Sequence, residues 1–378
     1  MKVAINASQL LSPLTGIGQY TLNLGRALRA LNEVDLEFFY ASTWSRDLNA
    51  TPSRRMEFFK PLVKRWLPFP YELSRAVQQR YFTLGIKRFR PDVYHEPSFL
   101  PFRFEGRTVI TVHDLSWVRF PGTHPVARVR IINKLLPLAV ERAAHILVDS
   151  EFVRSEVIDH YGVPPSKVTT TPLASREIFW PRSWEQRRAT LERTGVRDGS
   201  YFLCVGTLEP RKNVEAALRA HALLPEPLRR SFPLVLVGMQ GWLTSRLEHE
   251  MKLPAVQGEL VTAGYVTDED LADLYSGACA LLYPSIYEGF GLPPLEAMAC
   301  GAPVIMSNAS SLPEVGGAAA VMHDPHDVDA LSLSMRRLVE DPQFRLERSG
   351  ASLQRAAQFS WDRCARETLT VYKNTLAA

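Results

Sequence analysis

Hydrophobic and polar positions along this chain follow two alternating patterns. Short, mostly apolar runs such as Lys2–Asn6 and 279–283 predict buried β-strands, whereas 18–31 repeats its apolar residues at helical spacing. Strands that alternate with helices are typical of parallel sheets covered by helices. The pattern therefore predicts a doubly wound α/β architecture.

The same two patterns recur in both halves of the chain. Further strands are predicted at 36–40, 92–95, 108–113, 145–150, 201–206, 233–238, 261–265 and 303–306. Further helices are predicted at 135–144, 150–161, 213–224, 268–276, 293–300, 327–340 and in a tail at 342–373. Between the halves, 172–187 is irregular and contains two prolines. A chain of 378 residues exceeds one ordinary core, so we expect two domains with a boundary in this segment.

Composition indicates a soluble globular protein, with 46% apolar and 22% charged residues. No apolar run reaches the roughly 18–20 residues that a membrane span needs, and the chain begins with a strand pattern rather than a signal peptide. The cysteines lack the C-x-x-C spacing of zinc sites and predict buried thiols in a reducing cytoplasm. They are Cys204, Cys279, Cys300 and Cys364.

Positive charge is concentrated in the stretch 52–90, which contains ten basic residues and only two acidic ones, with eight aromatic residues interleaved. Such a composition fits contact with an anionic membrane surface. It fits equally well a solvated helix whose aromatic side chains face the core. Nucleic acid is not expected as a partner, because no nucleic-acid-binding motif accompanies the stretch.

Two carboxylates, Glu288 and Glu296, stand eight positions apart after the strand predicted at 279–283. Between them, Pro293 and Pro294 suit the first turn of a helix, where proline costs no hydrogen bond. Both acids should therefore lie beside free N–H groups of a helix N-terminus. Carboxylates there would repel phosphate and suit sugar or ribose hydroxyls. A pair of acids can also indicate a glycoside hydrolase.

Two cations, Arg211 and Lys212, follow the strand predicted at 201–206 and adjoin the start of a helix. The helix dipole disfavours cations at this end, and a bound diphosphate would remove the conflict. Arginine can bind phosphate with two hydrogen bonds and lysine as a point charge. The alternative is a solvated surface pair.

Two weaker signals lie in the first half. Thr15–Tyr20, with Gly16 and Gly18, could let the backbone approach a phosphate. It lacks the third glycine of a dinucleotide fingerprint, so an ordinary turn remains the alternative.

The neighbours His113 and Asp114 could form a general-base pair. Alternatively, His113 is a histidine at a strand end and Asp114 caps a helix, and for Asp114 we favour this second interpretation.

The run from Ser285 to Gly301 resembles the E-x7-E motif of the retaining glycosyltransferases of family 4, which have the GT-B fold. The resemblance extends from Asn6 to about Tyr372 and is strongest to bacterial mannosyltransferases of O-antigen and exopolysaccharide synthesis. It implies two Rossmann-like domains facing each other across a cleft. The N-terminal acceptor-binding domain would comprise 1–178 and a returning C-terminal helix at about 358–378, and 179–357 would bind the nucleotide sugar.

The resemblance also implies roles for individual residues. The catalytic groups would be His113, Arg211, Lys212 and Glu288, with His113 positioning the donor sugar. Glu296 would hold the ribose, and 264–266 would line the nucleobase pocket. The implied donor contacts are Gly16, Gly18, Thr207, Arg211, Lys212, Gly264, Tyr265, Val266, Ser285, Glu288, Gly289, Phe290, Gly291, Leu292 and Glu296. Many family members carry arginine where Thr207 stands, so one cation of the family pattern is missing.

The expected reaction moves a hexose, with GDP-mannose as the best candidate donor, to a glycan acceptor carried on a polyprenyl diphosphate. Cations and helix N–H groups can stabilise the leaving diphosphate. We expect no D-x-D motif in this chain, so we predict a metal-independent enzyme without a cofactor. No enzymic nucleophile is evident, and the leaving phosphate would take the acceptor proton. Such an enzyme would be cytoplasmic, with peripheral contact at the inner face of the membrane through 52–90.

Other functions fit some of the same residues. A sugar-nucleotide epimerase or hydrolase would share the nucleotide site, and UDP- or dTDP-sugars could replace GDP-mannose. An NAD-dependent oxidoreductase would need the missing third glycine, although Asp35 or Glu37 could supply its acidic residue. A non-catalytic glycan-binding module is disfavoured by the intact acidic and basic pairs.

Overall fold

The computed structural model describes residues 1–12, 16–48, 70–239 and 245–377. It divides into two compact units. The N-terminal unit comprises Met1–His113, Ala127–Leu173 and Trp361–Ala378. The C-terminal unit comprises Asp114–Val126 and Ala174–Ser360. Thr15 and residues 52–69 of the basic-aromatic stretch lie outside the described residues.

Strands and helices alternate through most of the described chain. The strands are β1 (Lys2–Asn6), β2 (Asp35–Tyr40), β3 (Thr43–Ser45), β4 (Val93–Glu96), β5 (Arg107–Val112), β6 (His145–Val148), β7 (Val168–Thr170), β8 (Phe202–Val205), β9 (Leu234–Val237), β10 (Leu260–Gly264), β11 (Ala280–Tyr283), β12 (Val304–Ser307) and β13 (Val321–His323). The helices are α1 (Gly16–Ala30), α2 (Pro70–Phe89), α3 (Ser116–Arg119), α4 (Val126–Arg142), α5 (Glu151–Tyr161), α6 (Trp184–Thr194), α7 (Val214–Ala222), α8 (Glu226–Ser231), α9 (Ser245–Val256), α10 (Asp268–Gly277), α11 (Leu292–Ala299), α12 (Leu312–Gly316), α13 (Val328–Glu340), α14 (Pro342–Ala356) and α15 (Trp361–Ala377).

Each unit is built on one twisted sheet. The N-terminal sheet has the order β3-β2-β1-β4-β5-β6-β7 and is parallel except for β3, which pairs antiparallel with β2. The C-terminal sheet has the order β10-β9-β8-β11-β12-β13 and is parallel throughout. The prediction of two doubly wound α/β domains is therefore confirmed. In such sheets the strand order reverses at a switch point, here β1/β4 and β8/β11, where ligands bind at the carboxyl ends.

Burial explains why the short apolar runs predicted strands so well. Strands β9, β11 and β12 are buried along their whole length, as expected for parallel strands covered on both faces. The core of the C-terminal unit packs around Phe202, Leu236, Leu282, Ile305 and Leu331. A continuous core of this kind stabilises the unit because apolar surface is removed from water.

Two glycines bring the ends of β8 and β9 into close contact. A Cβ at Gly238 would lie only 1.9 Å from the carbonyl oxygen of Gly206. Both residues have positive φ, +140° at Gly206 and +144° at Gly238, a region that side chains other than hydrogen rarely adopt. Glycine is therefore required at both positions, and the close backbone contact fixes where the loop after β8 begins.

The predicted boundaries differ from the structure in three places. The tail predicted at 342–373 is two helices, because residues 357–360 interrupt it between α14 and α15. The chain passes between the units at 173/174 and 360/361 rather than at 178/179 and 357/358. The segment Asp114–Val126 belongs to the C-terminal unit: the Leu115 N–H donates to the Tyr287 hydroxyl at 2.8 Å, and the rings of Phe120 and Tyr287 lie 5.6 Å apart.

The four cysteines are buried and free, as predicted. Burial raises the pKa of Cys204 and of Cys300 to about 12, so these thiols stay protonated and unreactive at neutral pH. Among residues 1–12, 16–48, 70–239 and 245–377, none of the helices is both long and apolar enough to span a bilayer.

Candidate functional site

The candidate site lies at the switch point of the C-terminal sheet. Strands β8 and β11 are neighbours there, and each runs into a loop that carries charged residues at its carboxyl end. The loop after β8 contains Arg211 and Lys212 in a short 3-10 turn, Pro210–Lys212. The loop after β11 contains Glu288 and leads into helix α11. This position is where open α/β sheets bind ligands.

Lys212, Tyr283 and Glu288 form a buried triangle. The Lys212 ammonium donates to Glu288 Oε1 at 2.5 Å and to the Tyr283 hydroxyl at 2.8 Å. The Tyr283 hydroxyl in turn donates to Glu288 Oε1 at 2.8 Å. Removal of any one member would leave a buried polar group without its partner, which is costly in a protein interior.

Arg211 joins this triangle to a second carboxylate. Its guanidinium lies 3.3 Å from Glu288 Oε2 and 2.7 Å from Glu209 Oε1. It also donates to the Tyr287 carbonyl oxygen at 3.2 Å. Two cations thus face two carboxylates, and we call Glu209, Arg211, Lys212, Tyr283 and Glu288 the ion cluster.

The ion cluster corrects the electrostatic argument made from sequence. The two cations lie in the 3-10 turn ahead of helix α7, and Asn213, with φ of +53°, separates them from its first residue. Their charge is already matched by Glu209 and Glu288. A conflict with the helix dipole is therefore not what would attract a diphosphate.

Burial and charge oppose each other within the ion cluster. Burial alone would raise the pKa of Glu288, but Lys212 and Arg211 hold that pKa down to about 2. Burial lowers the pKa of Lys212, and Glu288 counteracts it. For Arg211 the carboxylates outweigh burial and raise its pKa. Glu288 is consequently ionised at any working pH, at the edge of a sheet where solvent is largely excluded.

The loop that carries Glu288 is held by two serines. The Glu288 N–H donates to Ser310 Oγ at 2.8 Å. The single hydroxyl hydrogen of Ser311 is shared between the carbonyl oxygens of Glu288 and Phe290, which lie 2.9 and 2.8 Å from Oγ. Gly291 has φ of +122°, and a Cβ there would lie 2.9 Å from Leu312. The loop geometry is fixed before any ligand arrives.

Backbone donors remain at the N-terminus of helix α11. The N–H groups of Phe290, Gly291 and Leu292 donate to no residue in the described part of the chain. Proline at the next two positions contributes no N–H group. Orphan N–H groups at a helix N-terminus are suited to anion binding.

Glu296 lies one turn further into helix α11 and is buried. Its Oε1 receives the guanidinium of Arg176 at 3.3 Å. Burial raises the pKa of Glu296 to about 7, although Arg176 opposes that shift. The two acids of the E-x7-E motif therefore differ, since Glu288 is held ionised by two cations while Glu296 titrates near neutrality.

His113 belongs to the N-terminal unit and is fixed on both sides of its ring. Nδ1 lies 2.6 Å from Asp149 Oδ2, and Nε2 lies 2.8 Å from the Pro97 carbonyl oxygen. Both partners are acceptors when Asp149 is ionised, so both ring nitrogens then act as donors. This arrangement favours a positioning role over proton abstraction. Asp114 accepts from the Ser116 N–H at 2.9 Å in a local turn. The N-cap of helix α3 is Leu115, and no side chain caps that helix, so the prediction of Asp114 as the helix cap is wrong.

The remaining predicted donor residues are placed at several points. Thr207 lines a small pocket together with Lys212 and Tyr283, and Ser285 is buried beside it. Gly264 ends β10, and Tyr265 and Val266 follow it. Strand β10 lies two strands away from β8 in the sheet, and Tyr265 is 75% exposed. Gly16 and Gly18 open α1 in the N-terminal unit. Within the C-terminal unit, the structure thus brings Thr207, Arg211, Lys212, Ser285 and 288–292 together at the β8/β11 switch point, and it places Gly264, Tyr265 and Val266 at the end of β10.

Sequence reasoning missed several partners of the site. Glu209 and Tyr283 stood inside or beside the quoted motifs, and their positions at two strand ends were the available signal. Asp149 likewise lies at a strand end, inside the range 145–150 predicted as a strand and directly after β6 (His145–Val148) in the structure. Arg176 lies in the segment 172–187, whose irregular sequence offers no signal.

Two D-x-D sequences do occur, at 268–270 and 327–329. Asp268 and Asp270 pair with Arg176 and Arg193, and Asp327 caps helix α13. Within the described ranges, no group of three or more potential metal-ligating side chains is found.

Comparison with known proteins agrees with this geometry. Residues 186–354 match the family model of glycosyl transferases group 1, and residues 14–174 match that of glycosyltransferase family 4. The chain is 37% identical over 380 residues to O-antigen chain mannosyltransferase B of Escherichia coli, covering 99% of this chain and 100% of that one. It is 26% identical over 356 residues to O-antigen chain mannosyltransferase RfbU of Salmonella typhimurium, covering 89% and 91%.

A solved structure of similar fold is sucrose-phosphate synthase from Thermosynechococcus elongatus, with a TM-score of 0.76 and 20% identity. The superposition covers 100% of this chain and 99% of that one. The family predicted from the E-x7-E motif is therefore confirmed. The protein belongs to glycosyltransferase family 4 and is a hexosyltransferase with the GT-B fold.

Proposed function

We propose that this enzyme is a retaining mannosyltransferase that uses GDP-mannose and extends a polyprenyl-diphosphate-linked glycan during O-antigen synthesis. The observation that carries the proposal is the ion cluster at the β8/β11 switch point, in a chain similar over its full length to a named O-antigen mannosyltransferase. That relative's name supports both the sugar and the pathway.

The ion cluster suggests how the donor would be activated. When the bond between the sugar and the diphosphate breaks, negative charge develops on the leaving phosphate. Lys212 and Arg211, together with the N–H groups of 290–292, could stabilise that charge without reorganisation. The donor would then compete with Glu288 for the two cations. Displaced from them, the Glu288 carboxylate would accept from sugar hydroxyls.

The transfer step then needs no nucleophile from the protein. The acceptor hydroxyl attacks the anomeric carbon from the face that the diphosphate leaves, and its proton passes to the leaving phosphate oxygen. His113 would hold the sugar, and Glu296 the ribose. In this mechanism the cations replace a divalent metal, so we expect turnover to persist in EDTA.

The base of the donor is tested by thermal unfolding in the presence of nucleotides. A ligand that binds the native state raises Tm by mass action. At equal concentrations, we expect GDP and GDP-mannose to raise Tm by several degrees, and UDP, dTDP and their sugars to raise it much less. A larger shift with UDP or dTDP would overturn the GDP assignment.

The described part of the basic-aromatic stretch supports membrane contact. Helix α2 exposes Val77, Tyr81 and Leu84, at 50%, 46% and 58%, and this spacing places them on one face of the helix. The exposed cations Arg80 and Lys87 flank that face. Phe82 and Phe89 are buried on the opposite side. An exposed apolar stripe with flanking cations fits an interfacial helix on an anionic bilayer, at the inner face of the cytoplasmic membrane.

Vesicle flotation tests this contact. The protein should float with phosphatidylcholine vesicles that contain anionic phospholipid, and much less with phosphatidylcholine alone. The double variant Val77→Asp/Leu84→Asp should lose flotation. The matched control is Leu333→Asp/Leu346→Asp, at leucines of the C-terminal unit that are 66% and 68% exposed. Equal flotation of the two double variants would overturn the assignment to α2.

A further inference from the structure

Arg176 connects two carboxylates of the C-terminal unit. Its Nε lies 3.3 Å from Glu296 Oε1, and another guanidinium nitrogen contacts Asp268 Oδ2. The guanidinium also stacks on the ring of Phe179, 4.7 Å from its centroid. The side chains of Arg176 and Glu296 are only 15% and 9% exposed, whereas Asp268 is 44% exposed. The contacts fix the plane of the guanidinium, so the position of Glu296 is fixed as well.

The contact with Arg176 engages only one oxygen of Glu296. Oε1 accepts the guanidinium, whereas Oε2 receives no hydrogen bond from any residue within the described ranges. When one carboxylate oxygen is hydrogen-bonded and the other is not, the second oxygen is suited to accept hydrogen bonds from a neighbouring pair of hydroxyls. The 2′- and 3′-hydroxyls of a ribose have this chemistry.

We propose that Arg176 is a positioning residue for nucleotide binding, which holds Glu296 so that Oε2 can accept from the donor ribose. This inference rests on the proposed function, in which Glu296 contacts the ribose. Arg176 itself touches no part of the donor in this proposal. It acts from the segment where the chain enters the C-terminal unit, 120 positions before Glu296.

The electrostatics of Glu296 agree with this role. Burial raises the pKa of Glu296 to about 7, Asp268 adds to that shift, and Arg176 opposes it. Tyr275 and Cys300 also face Glu296, but burial raises the pKa of both, so they remain neutral in the working range. Without Arg176, the pKa of Glu296 would rise further, and the ionised form that accepts two hydroxyls would require a higher pH.

The test compares GDP with 2′,3′-dideoxy-GDP by calorimetry at pH 8. In the unsubstituted enzyme, we expect dideoxy-GDP to bind about tenfold or more weakly, because it lacks both hydroxyls that meet a charged acceptor. In Arg176→Met this preference should fall to about twofold or less, as it should in Glu296→Gln. Arg176→Lys should restore part of it. Arg187→Met should leave the preference unchanged, since Arg187 is similarly buried (18% exposed) but pairs with Asp198.

The pH profile provides a second measure. The Kd for dideoxy-GDP divided by the Kd for GDP should fall towards one as the pH drops through about 7 in the unsubstituted enzyme. In Arg176→Lys, the same fall should occur at a higher pH. Taking the ratio removes the titration of the diphosphate itself. Thermal unfolding of each variant establishes that it is folded.

The outcomes separate the two proposals. If the unsubstituted enzyme does not prefer GDP over dideoxy-GDP, Glu296 does not hold the ribose, and the proposed function of that residue fails. If the unsubstituted enzyme and Arg176→Met show the same preference while Glu296→Gln loses it, the role of Arg176 is wrong and that of Glu296 stands.

Discussion

Replacement of Lys212 by methionine should lower kcat/KM for sugar transfer by about 10²- to 10³-fold, the usual effect of losing one preorganised donor to a developing negative charge. Methionine has a similar length without the charge. GDP should also bind more weakly, because in our account Lys212 contacts the diphosphate in the ground state too. Steady-state kinetics and calorimetry with GDP measure the two effects.

The control for this variant must separate lost catalysis from lost folding. Lys212→Met leaves Glu288 buried with Arg211 as its remaining cation, and breaking a buried pair costs on the order of 3–5 kcal/mol. The double variant Lys212→Met/Glu288→Gln removes both charges and should regain most of the lost stability while remaining inactive. Near-normal transfer by a folded Lys212→Met enzyme would remove Lys212 from the mechanism.

Replacement of Glu288 by glutamine should have a different signature. Transfer should fall by about 10²-fold or more, because the hydroxyl-accepting carboxylate at the reacting sugar is gone. GDP, however, should bind as tightly as before or more tightly, since Glu288 no longer competes with the diphosphate for Lys212 and Arg211.

The contrast between the two variants is the informative result. Lys212→Met should lose both GDP affinity and turnover, whereas Glu288→Gln should lose turnover alone. The pKa of Glu288 is held near 2, so the unsubstituted enzyme should show no change in GDP affinity from this carboxyl between pH 5 and 9. Weaker GDP binding by a folded Glu288→Gln enzyme would contradict competition between the carboxylate and the diphosphate.

The elements around the site were predictable because the chain signals them locally. Strands β9, β11 and β12 are buried on both faces and therefore appear as short apolar runs. The start of helix α11 is marked by the two prolines at its N-terminus. These local signals placed Glu288 in a loop at a strand end and Glu296 on the following helix.

Pairings between distant residues could not be predicted in this way. The sequence displays two cations and several carboxylates, but only the fold determines that Glu288 and Glu209 neutralise Arg211 and Lys212. Arg176 pairs with Glu296 although it stands 120 positions earlier in the sequence, in an irregular segment.

Two features were predicted incompletely, for related reasons: helix α2, given only as one alternative for the stretch 52–90 and without bounds, and the unit to which Asp114–Val126 belongs. Helix α2 carries apolar residues on its exposed face as well as its buried face, which obscures the helical period. The segment Asp114–Val126 follows a strand of the N-terminal unit, yet Tyr287 holds it in the C-terminal unit. A boundary drawn from composition alone does not detect such a crossing.

The central claim is that two cations, rather than a metal, support transfer of mannose from GDP-mannose with retention. The most direct test is an NMR analysis of the product formed from GDP-mannose and a polyprenyl-diphosphate-linked glycan in the presence of EDTA. We expect a new mannosyl linkage with the same anomeric configuration as the donor. An inverted linkage, transfer that appears only after Mn²⁺ or Mg²⁺ is added, or free mannose without acceptor would contradict it.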